Sequence, residues 1–438
     1  MEDYVQRACD FVRDWLPFCA AHQQEVPGVS VAIAYKGAVV HAQAVGRANI
    51  SADLPLQTDD VMPIGSQSKL LTAIAVLAAV DTGRVSLDDQ VAVYLPWLAG
   101  HNDSNVPRIT IRQLLWHQSG LMRDGPSADF WLNGSVVPSG IQFRDYIMQC
   151  RIIPDFRGRP KYSNVGYALL GEALASATDS PYVTYAQDVW KQLHIAGIEQ
   201  ISKKSPGKVC GYIAREGEAK MMKPLQSAGS FTPAVGWCMS AADLVALTSR
   251  LHMSRSTGLP EAFIAALRHT PHSLSPDERY GPGIMRVTVD GRECIGHSGN
   301  VGGFASASYL DAEADIAVSV IANAMYAPVN DIAAGIIGAV TFFRDHPVSN
   351  DMQRFNVRYG NSLLDQQIIA TDSLVGLINP HSWRPLRTMH EYCEVVTANT
   401  LRIVKSSFFG AVGETISFEF ENNMPKRVIH AGITNTPR

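Results

Sequence analysis

A chain of 438 residues, 46% hydrophobic and 18% charged, is long enough for two or three domains and has the makeup of a folded protein, which excludes a disordered or low-complexity chain. Its formal net charge of −4 supplies no broad basic field, so nucleic acid and anionic membrane are poor candidates for its main partner, and a small or neutral substrate fits better. No apolar run reaches the roughly 18–20 residues of a membrane helix, since Asp81 and Gly83 cut off even Leu70–Val80.

The first residues, Met1-Glu2-Asp3-Tyr4, are acidic where a secretory signal would be basic, and no apolar stretch with a small-residue cleavage site follows. Over residues 2–20, Val5, Cys9, Val12, Leu16 and Cys19 recur at three- and four-residue steps, which predicts a covering amphipathic helix. Val29–Tyr35 and Ala38–Val45 are β-prone runs joined at Lys36-Gly37, the pattern of a hairpin that starts an antiparallel sheet. From Ser66 to Val80 the sequence reads as a helix apolar on every side, the pattern of a buried central helix.

Between about 85 and 285, helical segments at Thr110–His117, Tyr167–Ala177 and Ser240–Leu251 alternate with Gly/Pro-rich loops, as in a helical region inserted into a sheet. Strand-like runs resume at Ile284–Val289, Phe304–Leu310 and Ile316–Ile321, followed by a helical stretch around Ile332–Phe343. After His346-Pro347 come short β-prone pieces, Ser373–Ile378, Tyr392–Val396, Thr400–Val404, Thr415–Phe420 and Arg427–His430. The fold expected is α+β: an antiparallel sheet flanked by helices with an inserted helical region in residues 1–346, then a small all-β, barrel-like domain over 350–438.

The seven cysteines, Cys9, Cys19, Cys150, Cys210, Cys238, Cys294 and Cys393, are scattered and odd in number, with no C-x-x-C pair. They read as free thiols in a reducing compartment, and with no export signal the expected location is cytoplasmic. His390-Glu391 lacks the second histidine of H-E-x-x-H, and nothing in the sequence calls for a metal or a cofactor. The sequence leaves the oligomeric state open.

Chemistry enters at Ser66-Gln67-Ser68-Lys69. A neutral serine hydroxyl is a weak nucleophile until a base stands within hydrogen-bonding reach, and residues i and i+3 share a helix face, so Lys69 would sit beside Ser66. The free N–H groups at a helix start also favour an oxyanion. Two ordinary readings compete: Ser66 as a helix cap, and Lys69 on a solvated face. A lysine entering an apolar helix is desolvated, however, which pushes its pKa toward that of a useful base. A second triplet, Ser205-Pro206-Gly207-Lys208, contains Pro and Gly where a helix would have to run and is set aside.

Three stretches in order then carry a resemblance: Pro63-Ile64-Gly65-Ser66-Gln67-Ser68-Lys69-Leu70, Lys161-Tyr162-Ser163-Asn164-Val165-Gly166-Tyr167, and Gly296-His297-Ser298-Gly299-Asn300. With supporting stretches at Gly83–Asp89, Ile109–Leu115 leading to Ser119-Gly120-Leu121, and Ser240–Leu244, residues 27–340 resemble the penicillin-recognising serine hydrolases, the group of class C β-lactamases, D,D-carboxypeptidases, D-aminopeptidases and related esterases. Chance copies of the short motifs, Tyr359-Gly360-Asn361 and His430-Ala431-Gly432, fall in the expected β domain.

The resemblance implies Ser66 as nucleophile, Lys69 as its proton partner and Tyr162 as base and acid, with Lys69 and a charged His297 favouring the Tyr162 anion. It implies Asn164 as the holder of the substrate amide, and the backbone N–H groups of Ser66 and Asn300 as the oxyanion hole. His297 and Ser298 stand where many family members carry Lys and Thr of a K-T-G motif. A histidine of ordinary pKa about 6.5 gives no permanent charge for a substrate carboxylate, which argues against strong β-lactamase or carboxypeptidase activity. The expected activity is that of a peptidase or amidase on small peptides or amino-acid amides, D-residues included. A carboxylesterase or acyltransferase on the same residues is the alternative, and an inactive penicillin-binding scaffold a third. G-x-S-x-G is absent, which disfavours an ordinary α/β-hydrolase.

Overall fold

The computed structural model describes residues 1–22, 26–133, 136–156, 160–202, 208–215, 218–222, 227–256, 258–268, 272–275, 278–362, 364–407, 411–422 and 424–438. By internal contacts the chain forms two compact units, Gln24–Ala333 on the one hand and Met1–Gln23 with Ala334–Arg438 on the other.

The second of these combines helix α1 (Asp3–His22) with a closed eight-stranded antiparallel barrel. The α1 face expected from the sequence is buried: Val5, Cys9, Val12, Leu16 and Cys19, together with Trp15, whose indole N–H donates to Ser382 O at 3.1 Å. Barrel strands at Val375–Ile378, Glu391–Thr397, Thr400–Ser406, Thr415–Glu421 and Met424–His430 coincide with the sequence expectation. Three more, Arg358–Gly360, Asp365–Ala370 and Ile433–Pro437, complete the ring, the first pairing with the last through Tyr359 opposite Pro437. Ile368, Leu377, Leu401, Ile403, Ile416 and Val428 fill its interior. Tyr359 and His430, members of the two chance motifs, belong to this barrel, where both hydrogen-bond Gln366 Oε1.

The unit Gln24–Ala333 is built on a nine-stranded antiparallel sheet. Its strands are β1 (Gly28–Tyr35), β2 (Ala38–Asn49), β3 (Leu54–Pro55), β4 (His272–Ser275), β5 (Glu278–Tyr280), β6 (Met285–Val289), β7 (Arg292–Val301), β8 (Phe304–Asp311) and β9 (Ile316–Ala322), in the spatial order β3-β2-β1-β9-β8-β7-β6-β5-β4. The β1–β2 turn places Lys36 and Gly37 at φ 50° and 85°, the two positive values that a two-residue hairpin needs to match strand twist. β1, β8 and β9 are buried along their whole length, which is why β1 and β9 read as nearly continuous apolar runs. The helix Ala241–Ser249 packs on all three.

The described residues between β3 and β4 form the insertion. At its centre lies α2 (Ser68–Asp81), eleven of whose fourteen residues are buried, so the helix is apolar on every side because helices surround it on every side. The helix Asn164–Thr178 is capped by Ser163, whose hydroxyl accepts from Gly166 N–H at 3.0 Å, and Thr110 with Gln113 makes a capping box on Ile111–Leu115. The α+β architecture expected from the sequence, including the barrel, is therefore the one the chain adopts. No described helix is long and apolar enough to cross a membrane.

Candidate active site

Ser66 lies in a tight 3₁₀ turn, Gly65–Gln67, that leads directly into α2. The turn is fixed from two sides. Ile64 N–H donates to Trp237 O at 3.0 Å, Ser68 Oγ accepts from Trp237 N–H at 3.1 Å, and the buried Gln67 amide bonds the hydroxyls of Ser306 and Ser308 on β8. Beside it runs β7, so close that two glycines are required. A Cβ on Gly65, where φ is 55°, would meet Asn300 N at 2.8 Å, and one on Gly299 would lie 2.2 Å from Ile64 O and 2.8 Å from Ser66 N. The backbone nitrogens of Ser66 and Asn300 thus share one seam.

Lys69 is completely buried and reaches three oxygens: Asn164 Oδ1 at 2.7 Å, Ala234 O at 3.0 Å and Ser66 Oγ at 3.3 Å. Burial holds its ammonium well below the ordinary lysine value, a shift that Asp124 opposes and Arg123 reinforces. A neutral amine has two N–H groups and one lone pair. Asn164 Oδ1 and Ala234 O can only accept, so they hold two of the Lys69 N–H groups; as an ammonium Nζ donates its third to Ser66 Oγ, and on losing that proton it would turn its lone pair there.

Tyr162 is partly exposed at the surface, and its ring lies 4.6 Å from Lys69 Nζ. Burial of the phenol raises its pKa, against the opposing pull of a hydrogen bond to Ser66 and of Arg123. The anionic tyrosine that the resemblance implies is thereby disfavoured.

His297 is buried and its two ring nitrogens are both committed. Nδ1 bonds Ser298 O, an acceptor only, and so carries the proton; Nε2 then accepts from the Tyr280 hydroxyl at 2.7 Å. Burial pushes its pKa down to about 3, so the expectation of a charged His297 gives way to a neutral one held by Tyr280. Ser298 is partly exposed, while Asn300 is exposed and turns its Oδ1 to Tyr326 N–H at 3.1 Å. The structure therefore brings Ser66, Lys69, Tyr162 and Asn164 into one cluster, with His297, Ser298 and Asn300 along the strand edge. Of the rival triplet, Ser205 lies outside the described residues; Lys208 pairs with Asp60 at 2.9 Å.

Three further side chains complete the site. His117, fully buried at φ 55°, accepts Ser163 N–H on Nδ1 at 3.2 Å, while its backbone O accepts Lys161 N–H at 2.7 Å, so it clamps both sides of Tyr162. Its ring packs 4.4 Å from that of Tyr162 and 4.5 Å from that of Tyr280. Asp124 bonds Asn164 Nδ2 at 2.6 Å. Sequence reasoning passed over all three. His117 lay inside a quoted stretch, Asp124 sits in a turn-like Arg-Asp-Gly-Pro, and Tyr280 is a lone aromatic before Gly281. Among the described residues no group of three or more His, Cys, Asp or Glu side chains could hold a metal ion.

The family model described as Beta-lactamase matches residues 8–340. Protein flp of Staphylococcus aureus (strain COL) is 24% identical over 313 residues, 68% of this chain and 60% of the relative, so the chain spans about 60% of the length of that curated protein. Among solved structures, SurE aligns with a TM-score of 0.61 at 20% identity over 99% of each chain, and has also been solved with D-Leu. EstCE1, described as a hydrolase with promiscuous acyltransferase activity, aligns with a TM-score of 0.63 at 19% identity, over 77% of this chain and 99% of its own. At such identities these structures establish likeness of fold.

Proposed function

The chain belongs to the beta-lactamase family, whose model spans residues 8–340, and on that premise we propose that it is a serine hydrolase working through an acyl-enzyme on Ser66, with small peptides or amino-acid amides as its substrates. The observation that carries the reading is Lys69, completely buried, its pKa pushed well down by that burial, held by Asn164 Oδ1 and Ala234 O, with Nζ 3.3 Å from Ser66 Oγ.

In acylation the lone pair takes the Ser66 proton as Oγ bonds the substrate carbonyl carbon, and the carbonyl oxygen becomes an anion in the seam beside the Ser66 and Asn300 N–H groups. The C–N or C–O bond then breaks. The neutral Tyr162 phenol gives its proton to the leaving group and regains one from the Lys69 ammonium, so no proton is lost or gained. Water, delivered along the same path in reverse, releases the acid; an amine or alcohol in its place gives acyl transfer. The second reading, an esterase or acyltransferase, draws on the likeness to EstCE1 and uses the same residues.

His297 narrows the substrate class. It is neutral and its nitrogens are occupied, so the strand edge offers no permanent cation to a carboxylate next to the scissile bond. Amino-acid amides and short peptide amides of both configurations should therefore be cleaved better than peptides whose free carboxylate adjoins that bond. A panel of L- and D-amino-acid anilides, carboxylate-bearing dipeptides and short acyl esters, run with wild type and Ser66→Ala and with an added amine acceptor, tests this. Turnover confined to esters would favour the second reading, and preference for the carboxylate-bearing substrates would overturn the argument from His297.

A further inference from the structure

We propose that Asp124 is a positioning residue that acts through Asn164: it fixes the orientation of the Asn164 amide and through it stabilises the Lys69 ammonium formed when Ser66 loses its proton. The inference rests on the acyl-enzyme reading above.

The geometry forms a chain of three groups. Asp124 Oδ1 lies 2.6 Å from Asn164 Nδ2, and Asn164 Oδ1 lies 2.7 Å from Lys69 Nζ. A carboxylate only accepts, so the amide must turn its NH2 to Asp124 and its oxygen to Lys69. Turned the other way, Asn164 would present N–H groups to an amine whose lone pair is needed at Ser66. The Asp124 side chain is only 15% exposed and is itself held in place. Trp131 Nε1–H donates to Oδ1 at 3.1 Å, Arg123 Nε stands 3.2 Å from Oδ2, and the Tyr146 hydroxyl donates to the backbone oxygen of Asp124. The segment also carries Asn164 itself, because Arg123 O accepts the backbone N–H of Asn164 at 2.7 Å.

The charged and titratable groups facing Lys69 come from several elements. They are Ser66 on its own turn, Tyr162 and Tyr167 with rings 4.6 and 5.5 Å from Nζ, the Arg123–Asp124 pair, and the neutral His117 and His297. Asp124 is the one carboxylate in that set. Its negative charge raises the pKa of Lys69 against burial. During acylation the Lys69 proton count rises by one, so a polarised Asp124–Asn164–Lys69 chain strengthens as the transition state is approached.

Asp124→Asn removes the charge and lets the amide of Asn164 turn. Removing a charge-assisted hydrogen bond should lower kcat about ten- to hundredfold, with KM little changed. The acid limb of the pH–kcat profile should move to lower pH, because the Lys69 ammonium has lost its stabilising anion. Asp124→Glu keeps the charge and should keep the limb at its wild-type pH while kcat falls. In an Asn164→Ala background, Asp124→Asn should cost almost nothing more, since the intermediary is already gone. Rates are normalised to the fraction of Ser66 that a fluorophosphonate labels, which corrects for misfolded protein. An acid limb that stays put or moves to higher pH in Asp124→Asn, or two substitutions whose effects multiply independently, would overturn the proposal. If wild type itself carries no fluorophosphonate on Ser66, it is the acyl-enzyme reading that has failed.

Discussion

Replacing Lys69 with methionine is expected to abolish turnover and at the same time to make the protein more stable, by an amount that depends on pH. Burial keeps native Lys69 a neutral amine well below the ordinary lysine value of 10.5, whereas the unfolded chain leaves it protonated. Folding in that interval expels a proton. Stability rises with pH wherever the unfolded state binds more protons, so wild type loses stability through Lys69 as the pH falls from 10.5 to the native pKa, and no further below it. One proton corresponds to about 1.4 kcal/mol per pH unit. Methionine is of similar length and binds no proton, so the slope vanishes with the substitution. The unfolding free energy of Lys69→Met minus that of wild type should grow by about 1.4 kcal/mol for each unit of acidification over this window, then level off at the native pKa of Lys69. Denaturant titrations of the two proteins side by side read the slope, because every other titrating group is common to both. A difference that stays constant between about pH 7 and about pH 10 would mean that native Lys69 is protonated like any exposed lysine, and the assignment of Lys69 as base would fall.

Tyr162→Phe keeps the ring against His117 and Lys69 and removes only the proton-donating oxygen, so single-turnover rates should drop about a hundredfold or more with the fold intact; an unchanged rate would reduce Tyr162 to packing. With His297 pushed down to about 3, the pH–rate profile should contain no ionisation that His297→Gln removes between about pH 5 and 8, and finding one would show a charged imidazole in the working enzyme. Gly299→Ala drives a methyl against Ile64 O and Ser66 N, and should part β7 from the Gly65–Gln67 turn and lower kcat far more than KM; wild-type kcat in that variant would remove the seam from the proposed mechanism.

The candidate site is legible in the sequence where local pattern and chemistry coincide. Ser66 and Lys69 stand out because a polar i, i+3 pair opens a helix that is otherwise apolar all round, and the buried position of α2 is the cause of both features. β7 was reached through its motif and not through its residue pattern, since Gly-His-Ser-Gly-Asn has few β-formers and owes its place to the fit against Gly65 and Ile64. Asp365–Ala370 and Ile433–Pro437 were missed for a related reason: Asp-Gln-Gln and Thr-Asn-Thr do not look like strands until a closed barrel supplies partners on both sides. The identity of His297 was legible and its charge was not. That charge is set by burial on a strand edge where Tyr280, seventeen residues away on β5, meets the ring, as the pKa of Lys69 is pushed down by burial among distant segments and held up by Asp124.

The central claim, an acyl-enzyme on Ser66, is tested most directly by treating the protein with a fluorophosphonate and locating the adduct by intact mass and peptide mapping. Ser66 has Lys69 Nζ at 3.3 Å, a bonded Tyr162 and the Ser66–Asn300 seam around it, so stoichiometric labelling of Ser66 alone is expected, lost in Ser66→Ala and strongly slowed in Lys69→Met. A folded protein that takes up no label, or takes it on another serine with Ser66 unmodified, would contradict the account.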